Sequence, residues 1–302
     1  MKNIVNRINQ LKKEKNAIIL AHYYQPLEIQ MIADIVGDSL ELARKSKNAD
    51  AEILVFCGVS FMGESAALLC PDKKVLLPAP NAGCAMADTI TPEDIRALKS
   101  ANPESAVVCY INSTAATKAE SDICCTSSNA VKVVKSMKED SIIFVPDKNL
   151  GTYIAGQVPQ KQFIFHPKGR CHIHDELSVK KVLEAKNNHP DAEILVHPEC
   201  CKAVCDVADF IGSTAQIIDY CKSSDNKEFI ICTEIGVTER MAVLMPEKCF
   251  IVPDKKQLVC ESMKAISLQM VLETLENQSG EVVVEQDLRE AALRPIERML
   301  AL

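Results

Sequence analysis

Cysteine, histidine, tyrosine and hydroxyl residues recur at matched distances along this chain of 302 residues, and the match is what gives them chemical meaning. Counting from His22, Tyr110 and His197, an aspartate follows after 12 residues (Asp34, Asp122, Asp209) and a hydroxyl after 17 (Ser39, Ser127, Thr214). An apolar residue follows after 34 (Phe56, Phe144, Ile231) and a proline after 49 (Pro71, Pro159, Pro246). Then come Cys84, Cys171 and Cys260, which lie 13, 12 and 14 residues past those prolines. One cysteine per repeat implies one shared site. Three converging thiolates are soft donors, suited to zinc or an iron–sulfur cluster better than to a hard cation. A closed structural zinc site takes four ligands. A cubane cluster on three cysteines leaves one iron open, a Lewis acid able to draw an oxygen from a substrate.

The other cysteines carry no such equivalence. Cys109, Cys124, Cys125 and Cys232 lie within apolar runs and read as core. Cys200, Cys201 and Cys205 cluster at a helix start that has no counterpart in the other repeats, and Cys57, Cys70, Cys221 and Cys249 match nothing. No Cys-x-x-Cys occurs, which weighs against zinc ribbons, thioredoxins and bacterial ferredoxins. The fourteen cysteines without a secretory signal point to reduced thiols in a cytoplasmic protein rather than a disulfide framework.

Acid/base material stands at the same steps: His22 with Tyr23 and Tyr24, Tyr110 with Ile111 and Asn112, and His197 with Pro198 and Glu199. Glu199, in an apolar mouth near anionic ligands, is expected to have its pKa raised far enough to move protons near neutrality. His174, three residues past Cys171, is placed to reach the site, ahead of His172 and His166. Asp38-Ser39, Thr126 to Asn129 and Ser213-Thr214 read as three N-caps in register, whose orphan N–H groups suit phosphate or carboxylate.

Short apolar runs must position these residues. Ala17 to Ala21, Ala106 to Tyr110 and Glu193 to His197 read as buried parallel strands. Each is followed by a helix and by three further strands in every repeat. In such sheets ligands bind beyond the carboxyl ends of the strands, where all the landmarks fall. The expected fold class is α/β, with three similar three-layer αβα modules of parallel sheet around a pseudo-threefold axis and the site at its centre. The modules span 1–88, 89–175 and 176–274, and a helix over 275–302 closes the first.

Composition bounds the partners. A net charge of −7 with 4% aromatics argues against nucleic acid. The amphipathic start MKNIVNRINQLKKEKN is no signal peptide, and no 18-residue apolar stretch exists, so no membrane partner is expected.

Together the segments AHYYQP, VGDSLELA, the Cys84 loop, YINSTAATKAESD, CTSSNA, GRCHIHD, HPEC, IGSTA, CTEIGV and CESMKAISL resemble the quinolinate synthase family of NAD biosynthesis, in order along nearly the whole chain. The resemblance implies a [4Fe–4S] cluster on Cys84, Cys171 and Cys260 with one open iron. It implies that His22, Ser39, Tyr110, Ile111, Asn112, Ser127, His197, Pro198, Glu199, Ser213 and Thr214 bind substrate, and that Glu199, His22, Tyr24, Tyr110 and His174 carry the acid/base work. The implied substrates are iminosuccinate, delivered by an aspartate-oxidising enzyme, and dihydroxyacetone phosphate; the products are quinolinate, phosphate and water. The same residues leave two alternatives, a non-enzymatic iron–sulfur redox or sensor protein and another [4Fe–4S] hydro-lyase acting on a dicarboxylic acid.

Overall fold

Runs such as ILVFC and AVVCY show no polar alternation, so strands built from them must be covered on both faces. In the computed structural model, which describes residues 2–302, they are central strands buried at every position. Among the described residues twelve strands form three sheets. The first holds β1 (Ala17–His22), β2 (Ile35–Gly37), β3 (Ile53–Cys57) and β4 (Lys74–Leu76). The second holds β5 (Ala106–Tyr110), β6 (Ile123–Cys125), β7 (Ser141–Val145) and β8 (Gln162–Phe165). The third holds β9 (Glu193–Val196), β10 (Phe210–Ile211), β11 (Glu228–Cys232) and β12 (Cys249–Ile251). All pairings are parallel, in the orders β2-β1-β3-β4, β6-β5-β7-β8 and β10-β9-β11-β12, so each sheet is the same unit made again. The expected α/β class with three similar αβα modules is what the structure shows.

The recurring aspartate is the pin of each unit. Asp34, Asp122 and Asp209 stand immediately before β2, β6 and β10. Each donates its N–H to the carbonyl of Ile19, Val107 or Ile194 at 2.9, 3.0 and 2.9 Å. Each also accepts that residue's N–H on its carboxylate, at 2.8, 2.7 and 2.8 Å. The paired bonds satisfy main-chain groups at the start of the ladder and fix its register. The strand-end residues His22, Tyr110 and His197 thereby stay level with their neighbours.

Two of the three expected caps form. Asp38 opens the helix Ser39–Lys47 and Ser213 opens Thr214–Ser223, each as a full capping box, with Glu41 and Gln216 reciprocating. The second repeat departs from this. With the spacing unchanged, the helix Ala130–Ser136 starts later, after four polar residues, and Asn129 makes no cap bond. The Asn129 Oδ1 turns back to accept from Thr126 N at 2.8 Å, leaving Ser127 ahead of the helix rather than at its first turn.

The chain's end also differs from expectation. The helices Lys2–Glu14 and Leu268–Asn277 pack together at the first sheet, while the last helix, Gln286–Leu300, lies on the helix Ala115–Ala119 and on β6, reaching Ser60–Leu69 at one side. It therefore bridges the first and second units instead of closing the first alone. The helix beside β6 has only five residues and covers little, and Ala292, Pro295, Ile296 and Met299 bury themselves in the remaining space. The first two units accordingly share one continuous apolar core, and the third carries two of its own. Among the described residues no helix is long and apolar enough to cross a membrane.

Asp209→Ala should lower stability by about 1–3 kcal/mol, the cost of leaving the buried Ile194 N–H without its acceptor. A fall in the urea midpoint checks this, and an unchanged midpoint would show that the pin carries no weight.

Candidate active site

The carboxyl ends of β1, β5 and β9 meet in a cavity lined by the same three places of every repeat. The strand-end residue (His22, Tyr110, His197), the residue two further on (Tyr24, Asn112, Glu199) and the hydroxyl at step 17 (Ser39, Ser127, Thr214) all face it, joined by Asp38, Thr126, Met62 and Met263. A second cavity adjoins the first and is lined by Cys84, Cys171 and Cys260 with Val59, Phe61 and Ile173. Tyr24, Asn112, Glu199 and Met263 line both, so they form the partition between the thiols and the polar chamber.

The cysteines are brought there by one backbone contact made three times. Ser60, Lys148 and Ile235 open the helices after β3, β7 and β11, and their N–H groups donate to the carbonyls of Ala82, Gly169 and Leu258 at 2.8, 2.7 and 2.8 Å. Each of those carbonyls lies two residues before its cysteine. In the second repeat the approach is so close that a Cβ on Gly169 would stand 1.9 Å from Pro146 O, which only glycine permits. The chain turns into a short helix after each cysteine, and the backbone N–H three residues on (Ala87, His174, Met263) hydrogen-bonds the sulfur. All fourteen cysteines are free thiols. Burial pushes the Cys84 thiol up to about 12, Cys171 well above its usual range and Cys260 upward. Three soft donors in an apolar pocket, with N–H groups on the sulfurs and bare thiolates disfavoured, suit a metal or cluster that takes up the thiolate charge.

His174 is fully buried and lines neither cavity, but it stands behind Glu199 and Cys171. Its Nδ1 donates to Glu199 Oε2 at 2.9 Å and lies 3.2 Å from Cys171 Sγ, making Cys171, His174 and Glu199 a group able to hold a metal ion. Its Nε2 is 3.0 Å from Thr233 Oγ1, which is 3.0 Å from the Tyr24 hydroxyl, and Thr214 Oγ1 donates to that hydroxyl at 3.3 Å. An unbroken hydrogen-bonded path thus runs from Glu199 through His174 and Thr233 to Tyr24.

The two strand-end histidines are neutral donors. Burial pushes His22 down to about 3, as does burial at His197. His22 Nδ1 accepts the Tyr24 N–H at 3.1 Å and His197 Nδ1 accepts the Glu199 N–H at 3.3 Å, which leaves each Nε2 carrying the hydrogen. Glu199 departs from expectation. Burial pushes its carboxyl up, but His197 and the hydrogen bonds from His174 and Tyr110 outweigh this and hold it below the usual range. Glu199 is therefore a buried, ionised acceptor rather than a carboxyl poised near neutrality. Tyr110 is correspondingly pushed far up, by burial and by that carboxylate.

Ile111, Pro198 and Ser213 are buried but do not line the polar cavity. Ile111 N extends the sheet by donating to Cys125 O, and Ser213 Oγ accepts from Ser128 Oγ at 2.8 Å, the same hydroxyl contacting Asp38 Oδ2 at 2.8 Å. His172 lines the mouth of the thiol cavity, and Cys200 and Cys205 line a separate cleft with Asn149. Sequence reasoning missed Thr233, Met263, Asp147 and Glu234. The first, third and fourth lie just past strand ends, which was the available signal.

Three αβα units joined at their strand ends around one polar chamber define a triplicated α/β enzyme. The quinolinate synthetase A protein family (NadA) matches residues 6–301. The quinolinate synthase of Aquifex aeolicus is 48% identical over 100% of this chain and 95% of its own length. Those of Clostridioides difficile and Clostridium kluyveri are 48% and 50% identical, each over 99% of this chain and 97% and 98% of their own lengths. The chain belongs to the quinolinate synthase family, enzymes of NAD biosynthesis.

Two outcomes follow from this geometry. Thr233→Val keeps the shape but cuts the path between His174 and Tyr24, and turnover should fall by about 10²-fold, at the lower end of what positioned proton transfer contributes. Thr233→Ser should restore most of it, and equal losses in the two variants would remove the hydroxyl from the path. His22 accepts no proton in the fold until about pH 3, whereas the unfolded chain protonates it near 6.5. Its contribution is therefore intact above 6.5 and declines as pH falls towards 3, because the unfolded state binds the extra proton. Urea midpoints measured from pH 7 to 4 should fall less steeply in His22→Asn, and parallel curves would sink this assignment.

Proposed function

We propose that this enzyme condenses iminosuccinate with dihydroxyacetone phosphate to form quinolinate, releasing phosphate and two waters, with a [4Fe–4S] cluster held by Cys84, Cys171 and Cys260 and one iron left open. The observation that carries the reading is the partition: Tyr24, Asn112 and Glu199 face the thiols on one side and the polar chamber on the other. A substrate in the chamber would then lie within reach of both.

Joining the substrates makes one carbon–carbon and one carbon–nitrogen bond. Protons must leave the nitrogen and carbon of iminosuccinate and the carbons of the triose and reach the departing oxygens. Glu199, ionised and hydrogen-bonded to His174, serves as the acceptor within the partition. Tyr24 and His174, linked through Thr233, pass protons along the wall, and Tyr110 donates to Glu199 directly. The Nε2–H groups of His22 and His197 and the hydroxyls of Ser39, Ser127 and Thr214 hold the two carboxylates and the phosphate. Asn112, whose Oδ1 is buried without a partner, offers that oxygen to a substrate hydroxyl or imine N–H and its amide N–H to an anion. When bound, the cluster supplies a Lewis-acidic iron for loss of a hydroxyl.

Iminosuccinate is an imine prone to hydrolysis, so direct supply by an aspartate-oxidising enzyme belongs to this reading. Free thiols at all fourteen cysteines fit a reducing cytoplasm. The group Cys171, His174 and Glu199 supports a second reading, a single metal ion in place of a cluster.

Anaerobically purified protein should contain iron and acid-labile sulfide in equal amounts, lost on replacing any of the three cysteines with serine; zinc or iron without sulfide would favour the single ion. Glu199→Gln should keep the visible absorption of the cluster while turnover falls by about 10²–10⁴-fold. Ordinary turnover in that variant would remove Glu199 from the chemistry.

A further inference from the structure

Two buried carboxylates are left over by this chemistry. Asp147 and Glu234 stand two residues past the ends of β7 and β11, at equivalent places in the second and third repeats, and neither has any exposed surface. Asp147 Oδ2 accepts the backbone N–H of Cys171 at 3.0 Å, while its Oδ1 accepts from Leu150 N at 2.7 Å. Glu234 Oε1 accepts the backbone N–H of Cys260 at 3.2 Å, while its Oε2 accepts from Gly236 N at 2.7 Å. Each carboxylate therefore fastens a cysteine loop to the helix that follows the third strand of its sheet. Burying such groups is costly, and packing alone does not require them, since the first repeat places Val59 at the same position.

A second contact leads from each fastener into the neighbouring unit. Lys264, paired with Glu234 Oε1 at 3.1 Å, donates to the carbonyl of Tyr24 at 2.8 Å. Asn149, two residues past Asp147, donates its side-chain N–H to the carbonyl of Glu199 at 3.0 Å. Tyr24 and Glu199 occupy equivalent places, and both belong to the partition. Each fastener is thus linked to a partition residue, through Lys264 of the cysteine loop in the third repeat and through Asn149 of the helix after β7 in the second.

We propose that Asp147 and Glu234 are positioning residues that hold Cys171 and Cys260 for the cluster and, through Asn149 and Lys264, set Glu199 and Tyr24 against it. This rests on the three-cysteine cluster proposed above. It also assigns the repeats unequal parts: two ligands are held by carboxylates, and Cys84 is held by its backbone contact alone.

The test is release of iron from anaerobically reconstituted enzyme to an excess of a ferrous chelator. Asp147→Asn and Glu234→Gln should release iron about 10–100-fold faster than the unmodified enzyme, the loss typical when a metal ligand is deprived of its outer partner. Asn149→Ala keeps the bond between Asp147 and Cys171, so it should release iron at the unmodified rate while kcat falls. Unmodified release rates in Asp147→Asn and Glu234→Gln overturn the inference, as does rapid release from Asn149→Ala. An unmodified chain that takes up no cluster overturns the proposed function and this inference with it. Hydrogen exchange on the unmodified enzyme needs no substitution: the Cys171 and Cys260 amides should exchange more slowly than that of Cys84, which has no side-chain acceptor among the described residues. Equal exchange at all three would count against the role.

Discussion

The contact on which the rest depends is the backbone hydrogen bond from the first N–H of each helix after the third strand to the carbonyl two residues before a cysteine. The first N–H groups of a helix have no partner within it. Here that unsatisfied group captures the returning loop, three times, at nearly the same distance. The cysteines follow loops that come after the fourth, outermost strand of each sheet, and nothing in the sheets themselves would bring them over the central strand ends. Fixing such a loop costs about 1–2 kcal/mol per residue in backbone entropy. The helix start meets part of that cost and defines where the loop must lie. Once Ser60, Lys148 and Ile235 have set the three loops, the thiols share one apolar pocket and the partition has something to divide.

Equivalence of backbone is what allows the side chains to diverge. The strand-end place is His, Tyr and His; the place two further on is Tyr, Asn and Glu; the place before the helix that follows the third strand is Val, Asp and Glu, of which only the last two accept a cysteine amide. A threefold repeat with identical chemistry would put three carboxylates or three imidazoles together, and like charges at that separation cannot all ionise. With one carboxylate on the partition, Glu199 stays ionised among hydrogen-bond donors, and His22 and His197 stay neutral.

Most of the frame was legible because it follows from period and residue type. The step of 12 residues to aspartate marked the entry to the second strand, and the step to cysteine marked the thiols, although neither carries its reason on its face. The aspartate's double bond to the first strand and the carbonyl two residues before the cysteine are main-chain contacts, invisible to a reading of side-chain types. The second cap was misjudged because Thr126, Ser127, Ser128 and Asn129 offer four capping residues in a row, and only packing decides which one the helix takes. Glu199 was misjudged in a more instructive way. Its burial was foreseen, but the sign of its shift depends on His197 and on His174, and only the tertiary structure shows that His174 lies 2.9 Å away.

Among the described residues neither cavity is lined by a lysine or an arginine. The ligands proposed for the polar chamber are anions, and Asp38 and Glu199 already place carboxylates in its wall. Binding must therefore come from donors that carry no net charge: imidazole N–H, hydroxyls, the amide of Asn112 and the backbone at the capped helix starts. Such donors are strong only when they are dry and already aimed, because an unaimed dipole gains little over water. This accounts for the burial of His22 and His197 and for the bonds from Tyr24 N and Glu199 N that fix which nitrogen carries the hydrogen. A lysine would attract the same anions with less demand on geometry, but it would also pair with Glu199 and occupy the carboxylate proposed to accept protons. The neutral lining leaves Glu199 bonded to His174, whose other ring nitrogen opens the hydrogen-bonded path through Thr233 to Tyr24.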